Sequence, residues 1–435
     1  MFPSSVTLTL LAPVVNIVQA ITLFAAESEA ATAKSSPKDR IREFRTSLLS
    51  PLRLCKGAAL LNILCTGITC SDRKELCDEI AAASSGQITY VDVGNYMREI
   101  ADQLQLAIPD DKILDAPETT LKVLRKLAFE HVIRDLRDPS KSGQASQHTI
   151  VGLHATFRWR QRTMLGFDPE CVRDLAPDIF VTVVDDVRDV RARLDRFPKW
   201  RAQHLQYDDI LDWVDQETVV TQMLASIQRK PFYLIARKED VRTFRNLILK
   251  PDLTKVYLSY GITGASKDAI AAAQDLADQM RDHLIVFNPL SIKDMELARA
   301  SRSQAANGAI AQSNALGSLP ERVTERIENA TVYRDYRLIA QSDMIVVYYP
   351  HDKYSHGVAS EINFADANGK FVVMIWPHST HSPFLKNQAD RIYASVEEFL
   401  DDVRSGALIE RVVQAAKNVE AADHWGSGEA EPNVS

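Results

Sequence analysis

The sequence is poor in cysteine and has no excess of basic residues. Its five cysteines among 435 residues are odd in number and none are spaced as Cys-x-x-Cys, which argues against a disulfide framework and a zinc ribbon and favours a reducing cytoplasm. Lys and Arg total 51 against 58 Asp and Glu, a net charge of −7, so a broad basic surface for nucleic acid is not expected. We therefore predict a cytoplasmic protein without a nucleic-acid partner.

Charged residues are absent from the first 26 positions. Residues 6–26 form an apolar run long enough, at about 1.5 Å per residue, to cross the roughly 30 Å core of a bilayer. However, Pro13, Asn16 and Gln19 interrupt the run, and no Lys or Arg precedes it as in a secretory signal. We expect no membrane anchor, and contact of residues 6–26 with a membrane stays the alternative.

Size and composition are those of a globular protein with more than one domain. At roughly 100 to 200 residues per domain, the chain is long enough for two or three domains. Its 46% hydrophobic and 25% charged residues exclude a disordered acidic chain and a multi-span membrane protein. We expect four segments. They are an apolar segment and linker (1–50), a first domain (51–250), a second domain (251–422) and a flexible polar tail (423–435).

Short apolar runs of the kind found in buried strands alternate with helical segments throughout. In the first domain they cover residues 61–66, 88–93, 149–152, 179–184 and 232–236, and in the second 255–260, 283–287, 344–349 and 371–376. This alternation is typical of parallel βαβ units, so two α/β domains with parallel sheets are predicted. Residues 298–318, rich in Ala, Ser, Asn and Gly without an apolar period, indicate a loop.

A phosphate-binding loop in the first domain would lie between the first strand and the next helix. Such a loop needs the frame Gly-x4-Gly-Lys-Ser/Thr, whose backbone N–H groups and lysine hold phosphates and whose hydroxyl binds magnesium. The frame starts at Gly67, but Asp72, Arg73 and Lys74 replace the second glycine, the lysine and the hydroxyl. The carboxylate of Asp72 would repel a γ-phosphate, so phosphoryl transfer from ATP is not expected.

The order of motifs in the first domain resembles archaeal-type adenylate kinase. The resemblance rests on YVDVGNYMREIADQLQL, the helix TTLKVLRKLAFEHVI, the strand and turn TIVGLHATF, and PDIFVTVVDDVRDVRARL before an arginine-bearing helix. It implies a P-loop-kinase-like, nucleotide-binding domain. The residues that it implies for nucleotide binding are Gly67, Arg73, Lys74, His154, Thr156, Arg191 and Arg193, with Arg196 and Arg201 as further arginines of the lid.

Other interpretations of these basic residues stay open. The arginines of residues 191–201 could instead form a solvated helix face paired with the aspartates of residues 185–195. The run RWRQR at residues 158–162 could stack on a nucleotide, or be a surface loop anchored by its tryptophan.

Three separated pieces of the second domain would meet where parallel strands end. Residues 257–264 are a strand that runs into a glycine-bearing turn, residues 333–343 (YRDYRLIAQSD) are a helix that leads into a strand, and residues 355–361 (SHGVASE) open another helix. Since α/β sheets bind ligands at the carboxyl ends of their strands, we expect these pieces to form one site.

The carboxylates in these pieces, Asp335 and Glu361, suit the cleavage of an N-glycosidic bond. That reaction passes through an oxocarbenium-like state, so one carboxylate can attack or stabilise C1′ while an acid protonates the departing base. Alternatively, Glu361 is a first-turn carboxylate stabilised by the helix dipole. Asp335 would then be a surface residue paired with Arg334 or Arg337.

The same pieces resemble the nucleoside 2-deoxyribosyltransferase family, and within it the deoxynucleoside 5′-monophosphate N-glycosidases, over residues 255–377. The resemblance implies a flavodoxin-like domain with Glu361 as nucleophile, Asp335 as partner carboxylate and Tyr257 as the residue that positions the glutamate. The substrate-binding residues that it implies are Gly261, Ile262, Gly264, Ser355 and Gly357. Gly261 and Thr263 stand where the monophosphate glycosidases have a serine and an arginine, which weakens the case for a 5′-phosphate.

We predict an enzyme that joins a degenerate adenylate-kinase-like domain to one that hydrolyses or exchanges the base of a (deoxy)nucleoside or its 5′-monophosphate. A TIR-type NAD glycohydrolase, which also uses a glutamate on a flavodoxin-like sheet, and a non-catalytic nucleotide sensor are the alternatives. A defence role through nucleotide depletion would suit either enzyme. No cofactor is expected, and no metal, because the histidines at 351, 356, 378 and 381 lack an accompanying carboxylate or cysteine spacing.

Aromatic side chains around the same strand ends predict a homo-oligomer. They could line a pocket shared between subunits, as in the family that the second domain resembles, or pack the core of one subunit. The residues concerned are Tyr348, Tyr349, Tyr354, Trp376 and Phe384. A closed two-fold dimer is the commonest assembly of a self-complementary surface, so we expect at least a dimer through residues 255–420.

Overall fold

The structure is a computed structural model that describes the greater part of the chain. The described residues are 60–106, 108, 113–138, 148–160, 162–262, 265–306, 319–350, 355–378 and 383–415. Predictions that fall on the apolar segment 6–26, on Thr263, Gly264 and Tyr354, and on the tail lie outside these ranges.

The first half of the chain forms a five-stranded parallel sheet and a small hairpin. Its strands are β1 (Leu61–Thr66), β2 (Ile88–Asp92), β3 (His148–Gly152), β4 (Thr156–Trp159), β5 (Arg162–Leu165), β6 (Ile179–Val184) and β7 (Phe232–Ala236). The parallel sheet has the order β2-β3-β1-β6-β7, and β4 pairs with β5 in antiparallel fashion. The central strands β1 and β6 are buried almost throughout, because parallel sheets are covered on both faces, and this is why they read as continuous apolar runs.

Eight helices flank these strands in the described residues of the first half. They are α1 (Arg73–Ala82), α2 (Val93–Gln103), α3 (Glu118–Arg137), α4 (Pro169–Leu175), α5 (Val187–Leu194), α6 (Pro198–Arg201), α7 (Tyr207–Ile227) and α8 (Val241–Leu249). Helix α2 begins where the carboxylate of Asp92 accepts a hydrogen bond from the amide of Asn95 at 3.2 Å, a standard helix N-cap.

The second half forms a second five-stranded parallel sheet. Its strands are β8 (Lys255–Tyr260), β9 (Ile285–Phe287), β10 (Met344–Tyr348), β11 (Phe371–Ile375) and β12 (Arg391–Tyr393), in the order β12-β11-β10-β8-β9. Its helices are α9 (Lys267–Met280), α10 (Asp294–Ala306), α11 (Glu321–Ala340), α12 (His356–Ala367), α13 (Pro383–Gln388) and α14 (Val396–Arg404). Counted along the chain, the strand order is 2-1-3-4-5, which is the flavodoxin-like order. The predicted fold class of two parallel-sheet α/β units is confirmed.

The two halves share a hydrophobic core. One buried cluster contains Val181 and Ile235 of the first sheet together with Tyr257 and Phe287 of the second, and Phe244 of α8 lies in it as well. The helix α8 packs against both α1 and β9, so it is an element of the contact between the halves. The boundary at residues 250 and 251 falls between α8 and β8 and stays a prediction.

The loop predicted over residues 298–318 is wrong for residues 298–306, which belong to α10; residues 307–318 lie outside the described part. Ala298 is fully buried and Ser301 is 8% exposed. Leu297 and these small side chains let α10 pack closely on α11, and because few residues of α10 are large and apolar, the apolar period that marks most buried helices is weak here.

Within the described ranges, no helix is long and apolar enough to cross a membrane.

Candidate functional site

The second half presents a glutamate that two hydroxyl groups hold from the neighbouring strand. The hydroxyl of Tyr257 donates to Oε1 of Glu361 at 3.0 Å, and the hydroxyl of Ser259 donates to Oε2 at 2.5 Å. Tyr257 and Ser259 are alternate residues of β8, so both side chains project from the same face of the sheet, towards α12. Sequence reasoning missed Ser259, although its two-residue spacing from Tyr257 was a signal that could have identified it.

The carboxyl group of Glu361 has a strongly raised pKa. Burial, and then the negative charge of Asp335, raise this pKa to about 8, while the hydrogen bonds from Ser259 and Tyr257 lower it in part. Burial and the same two carboxylates raise the pKa of the Tyr257 hydroxyl well above its ordinary value, so this hydroxyl stays protonated and remains a donor. The pair of Glu361 and Asp335 therefore holds a proton in neutral solution.

Asp335 is brought close to Glu361 by the packing of α11 on α12. The rings of Tyr336 and Phe364 stack across these helices with centroids 4.2 Å apart. The side chain of Asp335 is 16% exposed, and its Oδ1 lies 3.5 Å from Nε of Arg334. Burial raises the pKa of Asp335, although the charge of Arg334 opposes this. The carboxylate pairs with Arg334, as one alternative held, but it is not a surface group.

The turn after β8 meets the start of α12. A Cβ added to Gly261 would lie 3.6 Å from Cβ of Ser355, so these two predicted substrate-binding residues are neighbours. Ser355 is the N-cap of α12, and its hydroxyl accepts a hydrogen bond from the amide of Val358 at 3.4 Å. Gly357 lies in the first turn of α12, and Ile262 is half-buried beside the core. The first and third predicted pieces are thus adjacent.

The aromatic residues expected near an interface differ widely in exposure. Trp376 and Tyr349 are 8% and 3% exposed, and their rings pack together with centroids 4.5 Å apart. Tyr348 is half-buried, whereas Phe384 is 84% exposed. Trp376 and Tyr349 therefore pack the core of one chain, which is the alternative given for this group.

In the first half, the loop after β1 is tightly packed. A Cβ on Gly67 would lie 2.7 Å from the Ser71 hydroxyl and 2.9 Å from the carbonyl oxygen of Val183, so a side chain does not fit there. The amide of Gly67 donates to Oε1 of Glu217 at 2.9 Å. Asp72 has a φ of 54°, the left-handed conformation that a glycine in this frame adopts without strain. The loop therefore combines a left-handed backbone at the position of the second glycine with a carboxylate side chain.

Arg73, which occupies the lysine position of the frame, points into the core. Its Nη1 donates to the carbonyl oxygens of Cys65 and Leu153 at 3.1 and 2.9 Å. Its Nη2 forms an ion pair with Asp92 at 3.0 Å, and the side chain is 7% exposed. Lys74 is exposed on α1. The guanidinium of Arg73 is therefore engaged with the strands and with the start of α2.

Arg193 of α5 binds the loop from the other side. Its Nε donates to the carbonyl oxygen of Cys70 at 2.8 Å. Its Nη1 and Nη2 form ion pairs with Asp72 at 2.8 Å and with Asp185 at 2.5 Å. The pairing with Asp185 is the one that the alternative interpretation gave for these arginines, and the pairing with Asp72 neutralises the carboxylate in the loop.

The other predicted basic residues are also paired or exposed. Arg191 lies 3.8 Å from Asp195 and 4.8 Å from the centroid of the Tyr207 ring. Arg196 and Arg201 are exposed.

The run around Trp159 belongs to the hairpin of β4 and β5. Trp159 is 6% exposed, and its Nε1 donates to Asp115 at 2.8 Å. Arg158 pairs with Asp209 at 2.6 Å. The run is therefore anchored by its tryptophan, as the second of its two interpretations held.

His154 and Thr156 face the loop through internal hydrogen bonds. The Nδ1–H group of His154 donates to the carbonyl oxygen of Gly67 at 2.6 Å, and burial together with the charge of Arg73 lowers the pKa of His154 to about 3, so the ring is neutral. The amide and hydroxyl of Thr156 donate to Oε2 of Glu217 at 2.6 and 2.7 Å. Sequence reasoning missed Glu217, because a single acidic residue in a long helix gives no signal of its burial.

Three carboxylates after β6 lie close enough to hold a cation. Oxygens of Asp185, Asp186 and Asp189 lie within 4.8 Å of one another. The ammonium of Lys238 lies among them, bonded to Asp186, 2.5 Å from Asp189 and 3.8 Å from Asp185. A metal ion would have to displace this ammonium.

Part of the first half is similar to a known protein family. Residues 66–210, from the end of β1 into α7, match a family model described as an AAA domain. This part is a P-loop kinase-like nucleotide-binding domain. The match covers less than half of the chain and does not extend to the second half. No curated protein matches the chain.

Solved structures with similarity to the chain include a conserved protein from Enterococcus faecalis V583, with 18% identity over 35% of this chain and 98% of that one and a TM-score of 0.23. A second is described as a "putative kinase" from Chloroflexus aurantiacus J-10-fl, with 13% identity over 44% of this chain and 98% of that one and a TM-score of 0.26. These TM-scores are too low to carry a functional inference.

Proposed function

We propose that the second half cleaves the N-glycosidic bond of a (deoxy)nucleoside or its 5′-monophosphate, or exchanges the base, as a relative of the 2-deoxyribosyltransferases. Glu361 is the nucleophile and Asp335 is its partner carboxylate. The observation that carries this proposal is the carboxyl group of Glu361, which two hydroxyls hold in place and which has a pKa of about 8 beside a second partly buried carboxyl. Such perturbed pairs are typical of catalytic sites.

The two carboxyl groups share one proton over the neutral range, and the reactive form has that proton on Asp335. A carboxylate oxygen of Glu361 bonds to C1′ as the bond from C1′ to the base breaks. The electron pair of that bond leaves with the base, whose nitrogen takes the proton from Asp335. Water then attacks C1′, returns a proton to Asp335 and releases Glu361; a second base in place of water gives exchange.

The sugar would bind between the turn after β8 and the start of α12. Gly261 and Ile262 lie on the turn side, and Ser355 and Gly357 lie on the helix side, while Gly264 belongs to the proposed set but is outside the described residues. The absence of side chains at the glycines lets a ligand approach the backbone closely. The positive end of the α12 dipole favours the oxygens of a sugar or phosphate.

The first half binds a nucleotide in this proposal without transferring phosphate. Asp72, Arg73 and Lys74 replace the residues that transfer requires, and Arg193 already neutralises Asp72. A nucleotide phosphate would compete with Asp72 for the guanidinium of Arg193. The half would then act as a sensor, a scaffold or a feeder of substrate.

The experiment is base release from a panel of deoxynucleosides, ribonucleosides, their 5′-monophosphates and NAD, separated by chromatography. We expect release from a nucleoside or monophosphate, with Asp335→Asn reducing kcat at least about 100-fold because a proton transfer is lost. Asp252→Asn, at an exposed aspartate, is the matched control and keeps full activity. Release from NAD alone would favour the NAD glycohydrolase, and release from no member would contradict the proposal.

A further inference from the structure

A row of buried polar groups runs from the first half to Asp335. The amide of Val187, at the start of α5, donates to Oδ1 of Asp294 at 2.8 Å. Oδ2 of Asp294 lies 3.7 Å from Nη1 of Arg334, and Nε of Arg334 lies 3.5 Å from Asp335. The side chains of Asp294 and Arg334 are 9% and 11% exposed, so water screens these charges little.

Arg334 lies between two carboxylates without a close hydrogen bond to either. Its Nε has no hydrogen-bond partner among the described residues, and neither has Oδ1 of Asp335. A guanidinium in this situation is held mainly by the opposing charges on its two sides. Its position relative to Asp335 therefore depends on Asp294.

The side chain of Asp294 is held by contacts with the first half. Apart from the amide of Val187, it faces the carboxylates of Asp185 and Asp186, and the backbone amide of Lys293 next to it donates to Asp186. Burial raises the pKa of Asp294 to about 6, the two aspartates add to this, and Arg334 and the Val187 amide oppose it. The first half thus orients Asp294 through the Val187 amide and contributes to its raised pKa through Asp185 and Asp186.

We propose that Asp294 and Arg334 are positioning residues for the reaction of Glu361 and Asp335, and that the first half completes the catalytic site of the second through Val187. This inference rests on the proposed function. Arg334 stabilises the ionised form of Asp335, and Asp294 holds Arg334 back from pairing fully with it. The balance keeps Asp335 able both to donate and to recover a proton.

The test is the pH dependence of kcat/KM for base release. The charged and hydroxyl groups that face the reacting pair are Arg334, Tyr257 and Ser259, and those that face Asp294 are Arg334, Asp185 and Asp186. Asp294→Asn keeps an acceptor for the Val187 amide but removes a negative charge, which lowers the pKa of Asp335. The acidic limb of the kcat/KM profile, where the carboxyl pair loses its first proton, therefore shifts to lower pH by about half a unit or more. Arg334→Gln removes a positive charge, so the same limb shifts to higher pH and kcat falls about 10-fold or more, with partial recovery in Arg334→Lys.

Arg326→Gln is the matched control. Arg326 lies on the same helix and pairs with Asp212 of the first half, so this variant breaks an ion pair between the halves without touching Asp335. Its pH profile stays that of the wild type. Opposite shifts in the two test variants support the inference, because a merely structural role would lower activity without moving the limbs in opposite directions. If the two variants are active and their pH profiles match that of the wild type, the inference is overturned and the proposed function stands. If the wild type releases no base, both are overturned.

Discussion

Glu361 is a residue whose protonation couples the chemistry of the site to the stability of the fold. Its native pKa of about 8 lies above the ordinary value of 4.5, because burial and Asp335 disfavour the charged form. Between these two values the native state binds a proton that the unfolded state has released. The stability contributed by this proton is fully present below about pH 4.5 and is lost as the pH rises through 8.

Glu361→Gln removes this dependence. As the pH rises from 5 to 8.5, the free energy of unfolding of the wild type should fall by about 2–4 kcal/mol more than that of the variant, because an amide has no proton to lose. Urea unfolding at the two pH values measures the difference. An equal loss of stability in both proteins over this interval would contradict the environment described for Glu361.

The two hydroxyls on Glu361 should matter for rate more than for binding. Tyr257→Phe and Ser259→Ala each remove a donor that stabilises the carboxylate, so kcat should fall about 10- to 100-fold with a smaller change in KM. Tyr260→Phe removes a hydroxyl from the same strand whose partner is Asn288, and it should leave kcat unchanged. An equal loss in all three variants would mean that the strand is merely destabilised.

Among the helices and strands, the long apolar strands could be predicted from the sequence, whereas several short elements and a helix rich in small residues could not. The runs at Leu61–Thr66 and Ile179–Val184 are strands with the bounds predicted, because burial on both faces leaves a continuous apolar signal. The strands β4 and β5 have four residues each and contain arginines, β12 has only three residues, and α10 is rich in small residues, so none of them gives a continuous apolar signal.

Some features of the candidate sites could likewise be predicted from the sequence, and others could not. The order of motifs predicted that Tyr257, Asp335 and Glu361 would come together, and the structure brings these side chains close to one another. The inward direction of Arg73 and the crossing of Arg193 over the loop could not be predicted, because both depend on the left-handed backbone at Asp72 and on side chains distant in sequence.

The loop after β1 leads to a prediction about catalysis. The first half should not form ADP from ATP and AMP, because Asp72 stands where the second glycine belongs and Arg73 is engaged in the core. A coupled assay for ADP measures this. A nucleotide that binds without turnover should still raise the melting temperature. Formation of ADP that Arg73→Ala abolishes would contradict the account of the loop.

At the scale of the whole molecule, we expect at least a dimer through residues 255–420. Phe384 is 84% exposed and lies in the second half, so it is the aromatic residue of the predicted group that is available for an interface. Light scattering should give a mass at least twice the 48.7 kDa of the chain, and Phe384→Ser should lower it. Phe197→Ser, at a 47% exposed position of the first half, is the control. A fully active wild-type monomer would contradict this prediction.

The role proposed for the carboxyl group of Glu361 is the cleavage of an N-glycosidic bond. The most direct measurement compares base release by the wild type, Glu361→Gln and Glu325→Gln, where Glu325 is an exposed glutamate of α11. We expect Glu361→Gln to fold, as judged by circular dichroism, and to lose at least about 1,000-fold in kcat, while Glu325→Gln matches the wild type. A folded Glu361→Gln variant that keeps activity within a few-fold of the wild type would contradict it.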